Sequence, residues 1–244
     1  MKQFHYKELD EEGAEILETI SKADKFNYWM YQTILPYCSG EILEIGSGIG
    51  NISKYFINDG CNITLSDIRA NYCDKLSATF ESHKNFSGVK QLDLVDPCFD
   101  DKYASLLEQF DTIFSLNVIE HIKDDQIALE NCKKLIKPDG KLIILVPAYM
   151  FLYSRFDKEL EHYRRYTRKK LKHQFKQSGL HVVDAFYFNF IGTLGWFFTG
   201  KILRRKTIPE GQMGLYNKLV PIFKIIDKIL FRSMGLSVIV VGKK

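Results

Sequence analysis

Between Ile42 and Asn51 the chain reads I-L-E-I-G-S-G-I-G-N. An apolar strand pattern runs into Gly46, Gly48 and Gly50, and a helical pattern with Ile52, Tyr55, Phe56 and Ile57 follows. Glycines at such a turn let the backbone approach a nucleotide closely. The spacing discriminates between ligands. A dinucleotide fingerprint needs its third glycine at position 51, where this chain has Asn51, and this disfavours a dehydrogenase. Glu44 stands two residues before the first glycine, so a pyrophosphate would be repelled there and a cationic ligand favoured. Asp67 lies 21 residues after Gly46, where an acid accepts hydrogen bonds from ribose hydroxyls or caps the next helix.

The elements that must position these residues alternate along the chain. Strands are predicted at Glu41–Ile45, Cys61–Ser66, Val89–Leu92, Phe110–Leu116, Lys141–Val146, Val182–Phe186 and Ser237–Val241. Glu11–Tyr37 reads as a helix ahead of them, and Lys134–Gly140 as a helix end and turn. Helical patterns between the first five strands argue for an α/β fold, a parallel sheet with helices on both faces. Such sheets bind ligands at the carboxyl ends of their strands, where the polar residues above fall.

The run E-x-G-x-G-x-G after the first strand resembles motif I of the class I S-adenosylmethionine (SAM) methyltransferases. That resemblance covers about Leu35 to Leu180 and implies a Rossmann-like, seven-stranded, mostly parallel sheet with an antiparallel last strand. It implies SAM as cofactor, held by Glu44, Gly46, Ser47, Gly48, Gly50 and Asn51 at the turn, and by Asp67 and Ile68 at the ribose. Asp93 would accept from the adenine amino group with Leu94 beside the ring, although D-x-x-D-P is also a good turn. The segment S-L-N-V-I-E-H-I-K-D-D looks like the family's motif IV, with Asn117 lining the site and Glu120 and His121 opening the next helix. His121 is a base or a substrate contact in this reading or, the favoured alternative, a helix-capping or packing residue. Tyr28 matches aromatics that relatives place over the cofactor, whereas Trp29 reads as core.

Methyl transfer from a sulfonium asks a protein for alignment, exclusion of water and sometimes removal of a proton. The family builds its acceptor pocket partly from the loop after strand 5. Here Tyr149–Lys170 is dense in aromatics and cations, and D-x-x-x-x-H-x-R-R-Y-T resembles a subfamily found beside glycosyltransferases of lipid-linked sugar pathways. Tyr149, Asp157, Arg164, Arg165 and Tyr166 are the expected acceptor contacts. His162 is the expected base or, equally, a structural hydrogen bond within the loop. Two arginines can clamp a phosphate or carboxylate, so the expected acceptor is a small anionic molecule: a sugar, sugar nucleotide, lipid-linked intermediate or secondary metabolite. Protein or RNA methylation and a non-catalytic SAM-binding scaffold are the alternatives. No N-P-P-Y tetrad follows strand 4, and no nucleic-acid module is evident.

Residues 188–235, between strands 6 and 7, are longer than a hairpin needs. They carry F-N-F-I-G-T-L-G-W-F-F-T-G, a basic patch (Lys201, Arg204, Arg205, Lys206) and a helical stripe of Leu219, Phe223, Ile226 and Leu230 opposite Lys224, Asp227 and Lys228. That insertion is expected to be a lid, a homodimer interface or a peripheral membrane contact. The 244 residues suit one domain with an N-terminal helical cap over 1–37, and a net charge of +4 with 45% apolar residues is ordinary for a globular protein. Five scattered cysteines and a polar Met1–Glu12 suggest a reduced, cytoplasmic protein, and no metal-ligand spacing such as H-E-x-x-H occurs.

Overall fold

A computed structural model of the chain describes residues 17–203 and 210–244. One seven-stranded sheet runs through it in the order β3-β2-β1-β4-β5-β7-β6. The strands are β1 (Ile42–Ile45), β2 (Ile63–Asp67), β3 (Phe86–Gln91), β4 (Phe110–Leu116), β5 (Ile136–Pro147), β6 (His181–Phe188) and β7 (Ser237–Lys243). The pairings among β1 to β5 are parallel, and β7 lies antiparallel between β5 and β6. This is the Rossmann-like methyltransferase sheet that the resemblance implied.

The period of two in the strands divides the core. Leu43, Ile45, Ile113 and Ile144 face one layer, built with Leu129, Cys132, Tyr166 and Phe175. Ile42, Phe114, Ile143 and Leu145 face the other, with Trp29, Phe56 and Phe223. Each fully buried side chain of this kind contributes about 1.5–3 kcal/mol relative to exposure. The first layer holds α5 (Asp125–Leu135) and α7 (Arg168–Gln177), which starts where Thr167 Oγ1 accepts the Lys170 N–H at 3.2 Å. The second holds α1 (Asp24–Ile34) and α2 (Ser53–Asn58). Two short helices, α3 (Ala70–Phe80) and α4 (Phe99–Lys102), connect β2 to β3 and β3 to β4.

Several boundaries differ from expectation. The expected first helix is interrupted: residues 17–21 are helical, the chain turns at Lys22 and Ala23, and α1 then runs from Asp24 into a 3-10 turn at Leu35–Tyr37, while residues 11–16 of the expected helix lie outside the described residues. Strand β5 starts five residues early. Ile136 pairs with Phe110, then K-P-D-G forms a turn with Asp139 at φ +67° before pairing resumes at Lys141 with Thr112. Glu120 and His121 sit on a 3-10 turn, Ile119–His121, rather than on α5 itself.

The insertion after β6 forms α8 (Phe190–Trp196), a π-helical continuation at Phe197–Ile202, and α9 (Glu210–Ile229). Arg204, Arg205 and Lys206 lie outside the described residues. Buried Asp227 ties α9 to the end of β6 by accepting the Asn189 and Phe190 N–H groups at 2.6 and 2.8 Å. The stripe read from the sequence does pack inward, with Phe223 buried and Leu219, Ile226 and Leu230 half-buried, but Asp227, read on the opposite face, is buried as well, and so is Val220. Helix α9 also carries a second apolar stripe facing outward. Leu215, Ile222, Ile225 and Ile229 are each more than half exposed, with Lys218 and Lys228 exposed beside them. Among the described residues no helix is long and apolar enough to cross a membrane.

Candidate active site

The glycine turn is stitched to the end of β2. Ser47 donates its N–H to the Ser66 carbonyl at 2.8 Å, and Gly48 donates its N–H to Asp67 Oδ2 at 3.0 Å. Asp67 Oδ1 accepts from the Arg69 N–H at 3.0 Å. Burial pushes the Asp67 carboxyl up, and the Arg69 and Gly48 amides oppose that shift. Gly46 has φ +72°, and a Cβ there would stand 2.3 Å from Val118 Cγ2 on the neighbouring loop, so only glycine fits. Glu44 is buried at the end of β1 and accepts a hydrogen bond from the Ser53 hydroxyl at the start of α2. Burial pushes its pKa up to about 7.

The remaining cofactor expectations map around this turn. Ile68 is half-buried next to Asp67, and its carbonyl accepts from Gln91 Nε2 at 2.9 Å. Asp93 is half-buried just after β3, its Oδ1 accepting the Val95 N–H at 2.9 Å. Leu94 instead belongs to the core, at 3% exposure, so Asp93 is the accessible member of that pair. Asn117 is exposed at the end of β4 with φ +56°, and Tyr149, just after β5, has φ +63°. Left-handed backbone at a tyrosine is strained, and such residues cluster at functional sites. Asn51 spends its amide on the Leu17 carbonyl at 3.0 Å, and Leu17 Cδ1 lies 3.1 Å from where a Gly48 Cβ would be. Tyr28, expected over the cofactor, packs instead on Tyr31, Tyr55 and Lys224 along the α1–α2–α9 flank. Among the described residues, Leu17 lies over Gly48, Val118 over Gly46 and Phe80 over Gly50. Trp29 is core, against Phe188.

On the acceptor side, Asp157 organises the loop after β5 from α6 (Arg155–Glu159). It is fully buried and accepts from the Ser154 N–H at 2.8 Å, from Arg165 Nε at 2.7 Å and, across 3.0 Å, meets His162 Nδ1. Burial alone would raise its carboxyl, yet His162 and Arg165 hold it below the usual carboxylate range. Arg165 is 2% exposed, also donates to the Ala148 carbonyl at 3.1 Å and lies over the Trp196 ring. It is therefore a strut within the loop and not the anion clamp read from the sequence. Tyr166 is fully buried with its hydroxyl donating to Asp125 Oδ2 at 2.7 Å, so it is core and not an acceptor contact. Arg164 is half-buried, paired with Asp125 at 2.7 Å and donating to the Lys123 carbonyl at 2.7 Å. Tyr149 is half-buried and stacks on Tyr187 and Phe151.

His162 is buried, and its Nε2 faces not solvent but Glu120 Oε1, at 4.0 Å. Glu120 is fully buried with no hydrogen-bond partner for either oxygen, and burial raises its pKa to about 7, opposed by His162. His121 is half-buried, its ring centroid 4.6 Å from that of His162. Burial, then His162 and Arg69, hold its pKa near 3, so the imidazole is neutral. The backbone makes this meeting possible, because the Tyr163 N–H donates to the Glu120 carbonyl at 2.9 Å.

Residues 7–185 match the methyltransferase domain family. The chain belongs to that family. Among curated relatives, this methyltransferase domain is 24% identical over 164 residues to a ubiquinone biosynthesis O-methyltransferase of Xylella fastidiosa (strain 9a5c), covering 62% of this chain and 65% of that one. It is 26% identical over 157 residues to the ubiquinone biosynthesis O-methyltransferase of Coxiella burnetii (strain RSA 493 / Nine Mile phase I), covering 59% and 64%. The match thus spans a little under two thirds of those relatives' lengths. Among solved structures, a SAM-dependent methyltransferase from Archaeoglobus fulgidus superposes with a TM-score of 0.58 at 15% identity, over 89% of this chain and 94% of that one. A Haemonchus contortus phosphoethanolamine N-methyltransferase 2 in complex with SAM gives 0.58 at 15%, over 92% and 56%. Family and neighbours support SAM as the cofactor, and the donor set fits it. Carboxylates end β1 and β2 and follow β3, and the glycine turn carries no lysine or arginine that would seat a pyrophosphate.

Sequence reading missed Glu120 as a site residue of this methyltransferase domain and missed Asp125 altogether. The first was visible as an acid beside a histidine at a strand end. The second had no local signal, since its partners Arg164 and Tyr166 lie about 40 residues downstream.

Proposed function

We propose that the chain transfers the methyl group of SAM to a hydroxyl oxygen of a small, largely apolar acceptor. The observation that carries this reading is the Glu120–His121–His162 cluster beyond the end of β4, the strand paired directly with β1 and its glycine turn. A hydroxyl is a poor nucleophile until its proton leaves, and a carboxyl with a pKa near 7 beside two imidazoles is suited to take it at neutral pH. SAM supplies an electrophilic methyl carbon. The protein's share is to align the oxygen with it, exclude water and receive the proton.

Oxygen as the acceptor atom is supported by the relatives, which are named as O-methyltransferases of ubiquinone biosynthesis. A negative charge on the acceptor has lost its motivation, because Arg164 and Arg165 are both held by carboxylates of the chain. The outward stripe of α9, flanked by lysines, supports a lipid-borne acceptor collected at an anionic membrane surface. The test is incubation with methyl-labelled SAM and a panel of phenols, catechols and prenylated phenols in mild detergent. Label on oxygen with matching S-adenosylhomocysteine supports the reading. Label confined to nitrogen or carbon, or SAM binding without acceptor-dependent turnover, refutes it.

A further inference from the structure

Glu120, His121 and His162 each offer one ligand atom, and these atoms all lie within 4.8 Å of one another. Three further observations separate this cluster from a chance meeting. Both Glu120 oxygens are buried with no hydrogen-bond partner, an arrangement that costs free energy unless something charged sits between them and the imidazoles. His162 has its other nitrogen already committed, Nδ1 facing the Asp157 carboxylate at 3.0 Å, and the Leu160 backbone lies against His121. A carboxylate or carbonyl behind the imidazole is the outer-shell arrangement that fixes ring orientation at metal sites. The Asp157 carboxylate is itself held by Arg165 and Ser154, so the support is rigid. Ligand contraction on the order of 1 Å would bring the three donors to the spacing that a four-coordinate ion with bonds of about 2.0–2.2 Å requires.

We propose that Glu120, His121 and His162 bind a divalent transition-metal ion, leaving an open position for the acceptor oxygen. Two imidazoles and one carboxylate suit zinc or ferrous iron and not magnesium, which takes an all-oxygen shell. The sequence held no sign of it, because the ligands come from two segments about 40 residues apart and follow no H-E-x-x-H spacing. The purpose of the ion rests on the oxygen-methylation reading. With the ion bound, Glu120 is a ligand and the ion takes over its part in activating the acceptor: coordination lowers the pKa of the hydroxyl, whose proton passes to solvent. The oxygen lone pair then forms the O–C bond to the methyl carbon while the C–S bond breaks, its electron pair remaining on sulfur.

The ion can be tested without turnover. The full chain, treated with chelator and dialysed, is titrated with Co2+ and followed by visible absorption, with S-adenosylhomocysteine calorimetry as the check that each variant is folded. One Co2+ per chain with the intense bands of low coordination is expected. Glu120→Gln and His162→Gln abolish those bands. His121→Ala, at the least buried of the three ligands and so the mildest for folding, weakens binding at least about tenfold, and Asp157→Asn about 10–100-fold through loss of orientation. Absence of a bound ion, or equal affinity in the three ligand variants, overturns the proposal. A bound ion together with methyl label on nitrogen would sink the oxygen reading alone and leave the ion site standing.

Discussion

Gly48 donates its backbone N–H to Asp67 Oδ2 at 3.0 Å, joining the glycine turn after β1 to the last residue of β2. The ligand-facing turn and the acid read as its ribose partner thus form one unit. Hydrogen bonds to charged groups are worth about 1.5–3 kcal/mol. Asp67→Ala is expected to weaken S-adenosylhomocysteine binding by about 10–100-fold, by loss of direct contacts and of the turn's shape. Calorimetry showing an unchanged dissociation constant would remove Asp67 from the cofactor site.

Glu44 links stability to pH. Burial raises its pKa from an ordinary 4.5 to about 7, so the folded state binds this proton more tightly than the unfolded chain does. The associated stability is complete below pH 4.5 and is lost as pH rises through 7, a change of roughly 3 kcal/mol. Cofactor binding runs the other way, because a cationic sulfonium favours the ionised carboxylate. Glu44→Gln is expected to flatten both dependences. Thermal melts and calorimetry across this window check it, and parallel pH profiles for both proteins would refute it.

Asp157 and Arg165 form a buried pair, and removing one partner leaves a charge without compensation. Asp157→Ala is expected to cost about 3–5 kcal/mol in denaturant unfolding. Arg164→Ala, at a half-buried pair, is expected to cost about 1 kcal/mol or less. Similar losses for both would contradict the division between strut and surface made above.

The outward stripe of α9 yields a lipid-binding prediction. Flotation with vesicles containing anionic lipid should carry the chain upward at low salt, and less so as salt screens the lysines. Ile225→Ser with Ile229→Ser removes two exposed apolar side chains and is expected to lower the bound fraction about tenfold or more. A chain that stays at the bottom under all conditions would leave the acceptor free in solution.

Much of this was legible in the sequence wherever local spacing controlled the outcome. The turn at 46–50, the acid at Asp67 and the parallel run of the first five strands followed from glycine positions, terminal acids and alternating elements, and the antiparallel last strand from the family resemblance. The loop after β5 was harder. Arg165 and Tyr166 look like binding residues in a run of cations and aromatics, and only their partners at Asp157 and Asp125 reveal them as internal. Strand β5 was read short because K-P-D-G is turn chemistry, and here the turn is absorbed into the strand through the left-handed Asp139. The second stripe of α9 was hidden because its residues interleave with the inward stripe at helical spacing.

The interior wiring of Asp157, Arg165 and Tyr166 leaves Met150, Phe151 and Tyr163 as the large apolar and aromatic side chains that the same loop shows to the outside, each nearly half exposed or more. Internal frame and outward surface are therefore carried by different positions within about 20 residues. Phe151 can thus vary without unsettling the frame, whereas Met150 is tied to it, its sulfur accepting the Arg165 N–H at 3.2 Å.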